Sequence, residues 1–290
     1  MEVSLKGPLL GVTAVALFAL TAAMGKMASV DFHVLQILFF RQVIVFLSVL
    51  PFLIKGFPTA LKTKHPFAHA FRLLGAFISL AFGLWAVSVL PLITAVVLMF
   101  SQGLFVTLLA HWFLGEKLGW TRISAIIVGF VGVVIVARPD MSILDSVTPL
   151  IAIGAAIGAS IAVVCVRKLS QVESTVTLLS YQAVFVGLLS GLPMFWLWKT
   201  PDISQTLFLL SMGVVATLGQ WVGIKALRFG EASVISSIKY SELVFAAVFG
   251  FIIFSEVPDL YTLVGAALII VSGLYMIRRE VLLKNHQREK

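Results

Sequence analysis

The sequence has little charge for its length. Only 12% of its 290 residues are charged, whereas 60% are hydrophobic and the mean hydropathy is +1.08. A soluble protein of this length could not keep that much apolar surface away from water, and an intrinsically disordered chain would contain far fewer apolar residues. The composition therefore excludes both classes and predicts an all-α polytopic membrane protein whose apolar exterior is covered by lipid.

Cysteine and the common catalytic motifs are scarce or missing. The single cysteine, Cys165, excludes an internal disulfide bond and a metal site built from several cysteines. No HExxH zinc motif and no GxxxxGK(S/T) phosphate-binding loop occurs, which argues against a metalloprotease and an ATP-driven pump. A membrane-embedded enzyme would need a nucleophile with a base, or a metal cluster, at membrane depth. Because neither is apparent, we expect a protein that is not an enzyme and uses no cofactor or metal.

Long apolar runs make up most of the chain. A membrane-spanning helix needs about 20 mainly apolar residues. Short polar connections separate ten such windows. No connection is long enough to form an extramembrane domain. We therefore predict ten transmembrane helices, at 8–26, 34–54, 69–89, 92–113, 121–138, 148–166, 176–197, 205–226, 233–254 and 260–278.

The placement of lysine and arginine predicts the orientation. If the N-terminus is cytoplasmic, sixteen of the 21 basic residues fall on the inner side, three fall on the outer side, and Arg41 and Lys239 fall inside spans. Cytoplasmic loops carry such an excess of positive charge. Both termini are therefore expected in the cytoplasm. The same rule explains the net charge of +8 without a nucleic-acid partner.

The chain contains an internal repeat with an offset of 140 residues. At this offset Glu116 aligns with Glu256, and each of them closes an apolar helix. Each unit then holds five spans, so the second unit enters the membrane from the opposite side. The predicted domains are 1–140, with helices 1–5, and 141–290, with helices 6–10 and a short basic cytoplasmic tail. Inverted repeats around a midplane binding site are a recurring transporter design.

These landmarks resemble a known family. Ten spans in a five-plus-five repeat, with Gly115-Glu116 closing helix 4 and Ser255-Glu256 closing helix 9, resemble the EamA family of the drug/metabolite transporter superfamily. The Phe39-Phe40-Arg41 stretch and the C-terminal run 255–275 resemble the branch that includes bacterial uptake carriers of S-adenosylmethionine and riboflavin. Members of the family carry amino acids, nucleotide-like metabolites, vitamins or cationic drugs. The resemblance implies a carrier in the bacterial inner membrane.

Helix 9 carries two charged residues near its centre. Lys239 and Glu242 lie three residues apart and share one face, with Tyr240 between them in sequence. A charge in mid-membrane usually faces protein or water and is a candidate for function. We interpret all three residues as substrate contacts, and protonation of Glu242 as one means of coupling. The alternative is a self-neutralising ion pair that only fixes helix packing.

Helix 2 carries Arg41, followed by Gln42, and the repeat-related position of Arg41 in helix 7 is Tyr181. Arginine stays charged, so Arg41 could hold a substrate carboxylate or phosphate by a bidentate contact. Alternatively, it reaches the outer interface or binds carbonyl groups at the repeat junction. Arg41 and Tyr181 are both candidate substrate contacts.

Three further candidates lie in helices 3, 4 and 8. The pair Ser101-Gln102 is the repeat partner of Ser241-Glu242, and polar pairs at matching depth in inverted units would face each other across a central cavity. Trp85 and Gln220 add an aromatic ring and an amide, and a ring face can stack on a flat or cationic substrate. The alternatives are an interhelical hydrogen bond for Gln102 and an interfacial belt position for Trp85.

Other features are expected to be structural. Glu116 and Glu256 lie at helix ends, where a carboxylate can accept hydrogen bonds from the N–H groups of the following turn. Small residues recur every four positions in 75–83 and 154–162, a pattern typical of closely packed helices.

Histidines and prolines predict little more. The five histidines are scattered, and only His111 is placed in a span, so no site is predicted around them. Most prolines lie at span ends, with Pro193 as the main exception. We therefore expect mostly continuous helices, without breaks around an ion site.

Together these features predict a secondary transporter that moves a small polar, zwitterionic or cationic organic metabolite by alternating access through a central cavity. Its partners would be the lipid bilayer and the small-molecule substrate, with coupling to a proton or a counter-substrate left open. The alternatives are an efflux permease of the same fold, for amino acids or toxic cations, and, less favoured, a channel or scaffold. The predicted substrate-binding residues are Arg41, Trp85, Gln102, Tyr181, Gln220, Lys239, Tyr240 and Glu242.

Overall fold

The computed structural model describes residues 6–56, 63, 65–114, 120–137, 143–169, 172–229, 235 and 238–288. Within these ranges every regular element is helical. A 3₁₀ turn, Lys239–Ser241, precedes the eleventh helix. The helices are α1 (Lys6–Ala28), α2 (Val34–Gly56), α3 (Pro66–Val89), α4 (Leu92–Met99), α5 (Gln102–Leu114), α6 (Trp120–Ala137), α7 (Ile143–Leu169), α8 (Thr175–Gly191), α9 (Met194–Leu197), α10 (Ile203–Phe229), α11 (Glu242–Phe254) and α12 (Leu260–Arg288).

Within the described residues, each predicted window coincides with one helix or with two consecutive helical segments. Residues 233, 234, 236 and 237 of the ninth window and residue 138 of the fifth lie outside the described ranges. Six helical stretches of the described residues are long and apolar enough to cross a membrane, namely α1, α2, α3, the α4–α5 pair, α7 and α10. The apolar parts of α6, α8 and α12 are shorter, and α11 has 13 residues. The predicted fold class, an all-α polytopic membrane protein, is confirmed. The number of ten crossings stays a prediction.

The helices are less continuous than the sequence suggested. Pro193, the expected exception, separates α8 from α9. Two further irregularities contradict the prediction: the break at Phe100–Ser101 between α4 and α5, and the tight turn Lys239–Ser241 before α11. These two lie at positions that the 140-residue repeat relates, because Phe100 aligns with Tyr240. The irregularity is therefore a feature of both repeats.

A serine side chain accompanies each of the two repeat-related irregularities. Ser101 Oγ donates a hydrogen bond to the carbonyl of Leu98 at 2.6 Å, and Ser241 Oγ donates one to the carbonyl of Ile238 at 2.7 Å. Such back-bonding competes with the helical backbone for its carbonyl groups and favours local tightening or bending. The same contact also occurs inside continuous helices, for example from Ser160 to Ile157 in α7 and from Ser272 to Ile269 in α12, so it accompanies the two interruptions without explaining them.

The most extensive helix interfaces in the described bundle are α3 against α7 and α1 against α10. The 140-residue repeat relates α3 to α10 and α7 to α1, so these two interfaces are equivalent. At the first interface the predicted small-residue stripes meet. A Cβ added to Gly158 would lie 2.8 Å from the carbonyl oxygen of Gly75, and a Cβ added to Gly75 would lie 2.7 Å from that of Gly158. The two backbones therefore touch, which is the packing that van der Waals attraction favours between helices in lipid.

The buried apolar residues form two clusters. The larger one surrounds α4, whose Leu92, Val97 and Leu98 are fully buried, and it includes side chains from α1, α3, α6, α7, α11 and α12. The smaller one joins α2 to α10 through residues such as Ile37 and Met212. The interrupted helices α4 and α11 thus contribute to the larger of the two buried clusters.

The Gly75–Gly158 contact gives a stability prediction. Replacing Gly158 with alanine should lower the stability of the protein by about 1–3 kcal/mol, because the new methyl group overlaps the backbone of α3. Thermal unfolding in detergent measures the change. The matched control is Gly103→Ala, since a Cβ at Gly103 meets nothing within 4 Å and alanine favours a helix by about 1 kcal/mol. Equal midpoints for both variants would contradict the close approach.

Candidate functional site

The two interrupted helices meet at their irregular segments. The rings of Phe100 and Tyr240, which the repeat aligns with each other, lie 5.3 Å apart with 43° between their planes. Lys239 Nζ lies 5.8 Å from the centroid of the Phe100 ring, within the range of a cation–π contact. The repeat-related residues thus form one aromatic cluster with a cation beside it.

Gly273 on α12 makes room for Tyr240. A Cβ added to Gly273 would lie only 1.6 Å from the hydroxyl oxygen of Tyr240. No side chain could occupy that space, so the tyrosine hydroxyl packs directly on the α12 backbone. The orientation of the Tyr240 ring toward Phe100 therefore depends on the absence of a side chain at this position.

Lys239 and Glu242 are not in direct contact. Both are described, and no ion pair joins them. Lys239 is exposed and Glu242 is partly buried in the first turn of α11, where a helix N-terminus favours a carboxylate. The alternative of a self-neutralising pair stays open, because Lys239 is close enough to attract the Glu242 carboxylate electrostatically without direct contact. Without that direct contact, both charged groups remain candidates for contact with a ligand.

The other predicted site residues are spread over the bundle. Gln102 is partly buried at the first position of α5, directly after the break, and Gln220 is partly buried in α10. Trp85 is 46% exposed near the end of α3, with its ring 6.1 Å from that of Phe82. Among the eight predicted residues, Lys239 and Tyr240 are the two that the described contacts join, through the ring of Phe100. Trp85 lies beside Phe82 and is exposed, which agrees better with the interfacial alternative than with a substrate contact.

Arg41 and Tyr181 have different surroundings, although the repeat aligns them. Arg41 is partly buried on α2 and packs near Gly213 of α10. The ring of Tyr181 on α8 lies 4.8 Å from that of His69 on α3. The structure therefore does not bring Tyr181 to the aromatic cluster around Phe100.

A polar cluster between α3 and α8 escaped the sequence analysis. His69 Nε2 is hydrogen-bonded to a carboxylate oxygen of Glu173, Thr63 Oγ1 donates to the other oxygen at 2.5 Å, and Arg72 Nη2 donates to the carbonyl of Leu178 at 2.7 Å. His69 is 3% and Arg72 is 2% exposed. We call these four residues, Thr63, His69, Arg72 and Glu173, the α3–α8 polar cluster. His69 lies inside α3, so the placement of His111 as the only histidine in a span is wrong.

The carboxylate of Glu173 lies outside the helical spans, between α7 and α8. Burial disfavours its charged form, but the hydrogen bonds from Thr63 and His69 and the positive charge of a protonated His69 outweigh that effect. The pKa of Glu173 is therefore held below its usual value. The charged form stabilises the cluster.

A second polar contact joins the ends of three helices. Lys26 at the end of α1 forms an ion pair with Glu256 and donates to the carbonyl of Leu90 at 2.7 Å. Glu256 Oε2 accepts a hydrogen bond from the N–H of Leu92 at 2.7 Å, at the start of α4. We call Lys26 and Glu256 the α1–α11 clamp, since Glu256 directly follows the turn that ends α11.

The clamp corrects one detail of the sequence analysis. Glu256 is structural, as expected, but it binds the N-terminus of α4 from the other repeat and not the turn that follows it. Ser255 adopts a left-handed conformation with φ of 56°, which turns the chain after α11 and brings Glu256 back toward α4. Glu116, its repeat counterpart, lies outside the described residues.

A cavity of about 420 Å³ lies beside the clamp. The predicted central cavity, by contrast, stays a prediction. No group of three potential metal ligands occurs in the described part of the chain. The polar residues that line the cavity beside the clamp include Thr94, Thr148, Glu256, Asp259 and Thr262.

Comparison with known proteins identifies what the chain is similar to. The EamA-like transporter family matches residues 5–138 and 147–278. The S-adenosylmethionine uptake transporter of Rickettsia bellii is 32% identical over 89% of this chain and 88% of that protein. The riboflavin transporter of Vibrio cholerae is 29% identical over 99% and 97%, and the pseudopaline exporter CntI of Pseudomonas aeruginosa is 28% identical over 94% and 96%. A crystal structure with 18% identity matches 94% of this chain and 98% of its own with a TM-score of 0.65, which supports the fold.

The α3–α8 polar cluster predicts an acid-sensitive stability. Glu173→Gln should destabilise the protein by about 1.5–3 kcal/mol at neutral pH, because hydrogen bonds to a charged group are lost. Since the folded-state pKa of Glu173 lies below its usual value of 4.5, its contribution is complete above that pH and disappears as the pH falls through the lowered pKa. Thermal unfolding of both proteins as a function of pH should therefore give midpoints that converge in acid.

The control is Asp31→Asn. Asp31 forms an exposed ion pair with Lys199, with 3.7 Å between the charged atoms, and such pairs contribute about 0–1 kcal/mol. A Glu173→Gln effect no larger than that of the control, or one that persists unchanged in acid, would contradict the role assigned to the cluster.

Proposed function

The chain belongs to the EamA-like transporter family and is a multi-pass membrane transporter of small molecules. We propose that it is a secondary transporter that works by alternating access through a central site. It is a transporter and not an enzyme. The substrate that we propose is a small polar, zwitterionic or cationic organic metabolite. Two five-helix repeats, 1–140 and 141–290, would enclose it in inverted orientation.

One observation carries this proposal: helices that the repeat relates are interrupted at equivalent residues, and the interruptions touch through Phe100 and Tyr240. In inverted-repeat transporters the substrate site lies at the repeat interface, typically where spanning helices are discontinuous. Irregular backbone inside a membrane is tolerated where protein buries it or where it lines a water-filled cavity. The meeting point of the two interruptions is therefore the best candidate for the substrate site.

The proposed contacts differ in their support. Lys239, Tyr240 and Glu242 are supported by their place at the 3₁₀ turn, and Gln102 by its place after the α4–α5 break. Phe100, which the sequence analysis did not include, joins them through its ring contacts. The remaining four residues that we propose on sequence grounds are Arg41, Trp85, Tyr181 and Gln220.

The relatives suggest which substrates to test first. Two of them are named for uptake of S-adenosylmethionine and riboflavin, and one for export of pseudopaline. S-adenosylmethionine carries a sulfonium cation and riboflavin a flat ring system, and both groups suit an aromatic cluster with polar neighbours. We propose uptake of such a compound. Export by the same fold is the second candidate, favoured by the exporter among the relatives, and a channel or scaffold is third.

Topology and location belong to the same proposal. The excess of lysine and arginine in alternate connections supports cytoplasmic termini, and the bacterial relatives support the inner membrane. In this orientation the α1–α11 clamp lies on the outer side and the α3–α8 polar cluster on the inner side. Each contains residues from both proposed repeats. Opening either side would therefore require breaking polar contacts between the repeats.

The transport assay is the first test of this function. Purified protein in liposomes should accumulate labelled S-adenosylmethionine or riboflavin and should show counterflow when the liposomes contain the unlabelled compound. Lys239→Ala and Glu242→Gln should each reduce uptake about 10–100-fold, which corresponds to losing one charge-assisted hydrogen bond of about 1.5–3 kcal/mol. Lys199→Ala removes an exposed lysine on the outer side and should leave uptake unchanged. Uptake without counterflow would favour a channel, and unchanged uptake in both variants would remove Lys239 and Glu242 from the site.

The clamp gives a test of alternating access. Lys26→Met should open the outer side, because Glu256 then loses its ion pair and the end of α1 is released from the carbonyl of Leu90. In a Cys165→Ser background, an Ala95→Cys side chain reports the opening, since Ala95 is fully buried one turn into α4. A membrane-impermeant thiol reagent should label it faster by about tenfold or more in the Lys26→Met protein, which corresponds to a shift of about 1.4 kcal/mol between the two states.

The matched control is Lys199→Met, which removes an exposed ion pair that also links the two repeats on the outer side. It should leave the labelling rate unchanged. Equal labelling rates in the Lys26→Met, Lys199→Met and unmodified proteins would mean that the clamp is not a gate.

A further inference from the structure

Arg41 lies where α2 and α10 approach each other closely. A Cβ added to Gly213 of α10 would lie 3.6 Å from Arg41 Cα and 2.7 Å from Cγ1 of Ile44, one helical turn along α2. The fully buried Leu209 and Met212 belong to the same part of α10. The backbone of Arg41 therefore lies at an apolar interface between two helices.

The Arg41 side chain has no partner among the described residues. Its Nε atom is buried without a hydrogen bond, and neither an ion pair nor a side-chain hydrogen bond joins it to any residue of the described ranges. An arginine that binds carbonyl groups would donate hydrogen bonds to them, and Arg41 donates none within the described ranges. Its two terminal nitrogens are not buried, and the residue as a whole is partly buried, so the end of the guanidinium group is open to water or to a ligand. This geometry fits an arginine that reaches the interface as well as one that binds an anion.

The neighbouring amide is unpaired as well. Gln42 is 1% exposed, and neither Nε2 nor Oε1 of its side chain has a hydrogen-bond partner in the described part of the chain. Its Cβ lies 3.6 Å from the Cβ position of Gly187, so the base of the Gln42 side chain lies against α8. Consecutive residues thus leave three buried polar atoms unsatisfied in one short stretch of α2.

Such a stretch is costly without a ligand. Buried polar groups in proteins are almost always hydrogen-bonded, and an unpaired arginine in the membrane interior is among the most unfavourable arrangements. Arginine also resists deprotonation, so it cannot remove the cost by losing its charge. The fold itself does not demand a cation here, because the repeat-related residue is the uncharged Tyr181.

We propose that Arg41, assisted by Gln42, binds an anionic group of the transported compound, a carboxylate or a phosphate. This inference rests on the transport function proposed above and specifies its substrate class: the metabolite carries an acidic group in addition to its polar or cationic part. A guanidinium group pairs with either anion by two parallel hydrogen bonds. The Gln42 amide can both donate to and accept from a polar ligand.

Binding to the purified full-length protein tests the proposal with two matched pairs of compounds. S-adenosylmethionine and its decarboxylated form differ only in a carboxylate, and riboflavin 5′-phosphate and riboflavin differ only in a phosphate. For at least one pair we expect the anionic member to bind about tenfold or more tightly, the scale of one lost charge-assisted contact. In Arg41→Gln this preference should disappear, and in Arg41→Lys part of it should return. Lys199→Gln, which removes an exposed cation, should keep the full preference.

A second measurement separates this proposal from the choice of substrate. At constant ionic strength, inorganic phosphate should raise the unfolding temperature of the unmodified protein relative to chloride, and it should not do so for Arg41→Gln. In chloride without phosphate, Arg41→Gln should unfold at the same temperature as the unmodified protein or higher, because it removes an unpaired charge from the helix interface. A merely structural arginine would instead lower it.

The outcomes are distinguishable. Preference for the anionic member that persists in Arg41→Gln, or phosphate stabilisation that is equal in both proteins, would overturn the anion site. Binding of riboflavin and decarboxylated S-adenosylmethionine as tight as that of their anionic partners would also overturn it. If neither pair binds, the substrates proposed above are wrong, and the phosphate measurement alone decides whether Arg41 holds an anion.

Discussion

The cost of placing charge inside a membrane separates the structural residues of this protein from its candidate site. Charged side chains in lipid need a partner or water, because their transfer from water is strongly unfavourable. Lys26 with Glu256 and His69 with Glu173 meet this requirement within the protein. Lys239 and Glu242 make no direct ion pair, and Arg41 has no hydrogen bond or ion pair in the described residues. The paired groups connect helix ends, whereas these three residues lie within predicted spans and belong to the proposed substrate site.

Hydropathy and the short polar connections predict the positions of the helices but not their interruptions. The ten windows depend on composition over about 20 residues, which lipid enforces strongly. The break at Phe100–Ser101 and the turn at Lys239–Ser241 depend on local packing, and the serine contacts that accompany them also occur in continuous helices. Serine has the same sequence signature whether its hydroxyl bonds within the helix or across it. Only the 140-residue repeat could have suggested that two irregular segments lie at equivalent positions.

The sequence predicts which residues are candidates for the site, but it does not predict which of them contact each other. Lys239 and Glu242 stand out because ionisable residues are rare in spans, and this signal is local. His69 and Glu173 are 104 residues apart and Lys26 and Glu256 are 230 apart, so nothing in the sequence pairs them. Tyr181 shows the converse problem: the repeat aligns it with Arg41, yet it lies against His69. The type of residue at a position reveals its chemistry, whereas the residue that it contacts is determined by tertiary packing.

The two repeats differ in chemistry at one pair of equivalent interfaces. At α3–α8, His69 and Arg72 form a buried polar cluster, whereas their repeat counterparts at α2–α10 are Leu209 and Met212, both fully buried. In the proposed inverted arrangement these interfaces close opposite sides of the transporter. Polar groups that separate can exchange their hydrogen bonds for water, which lowers the cost of parting them. Apolar side chains gain no such compensation when water enters, since exposing them costs about 25 cal/mol per Å². The two sides therefore need not open with equal ease, even though the fold relates them by a repeat.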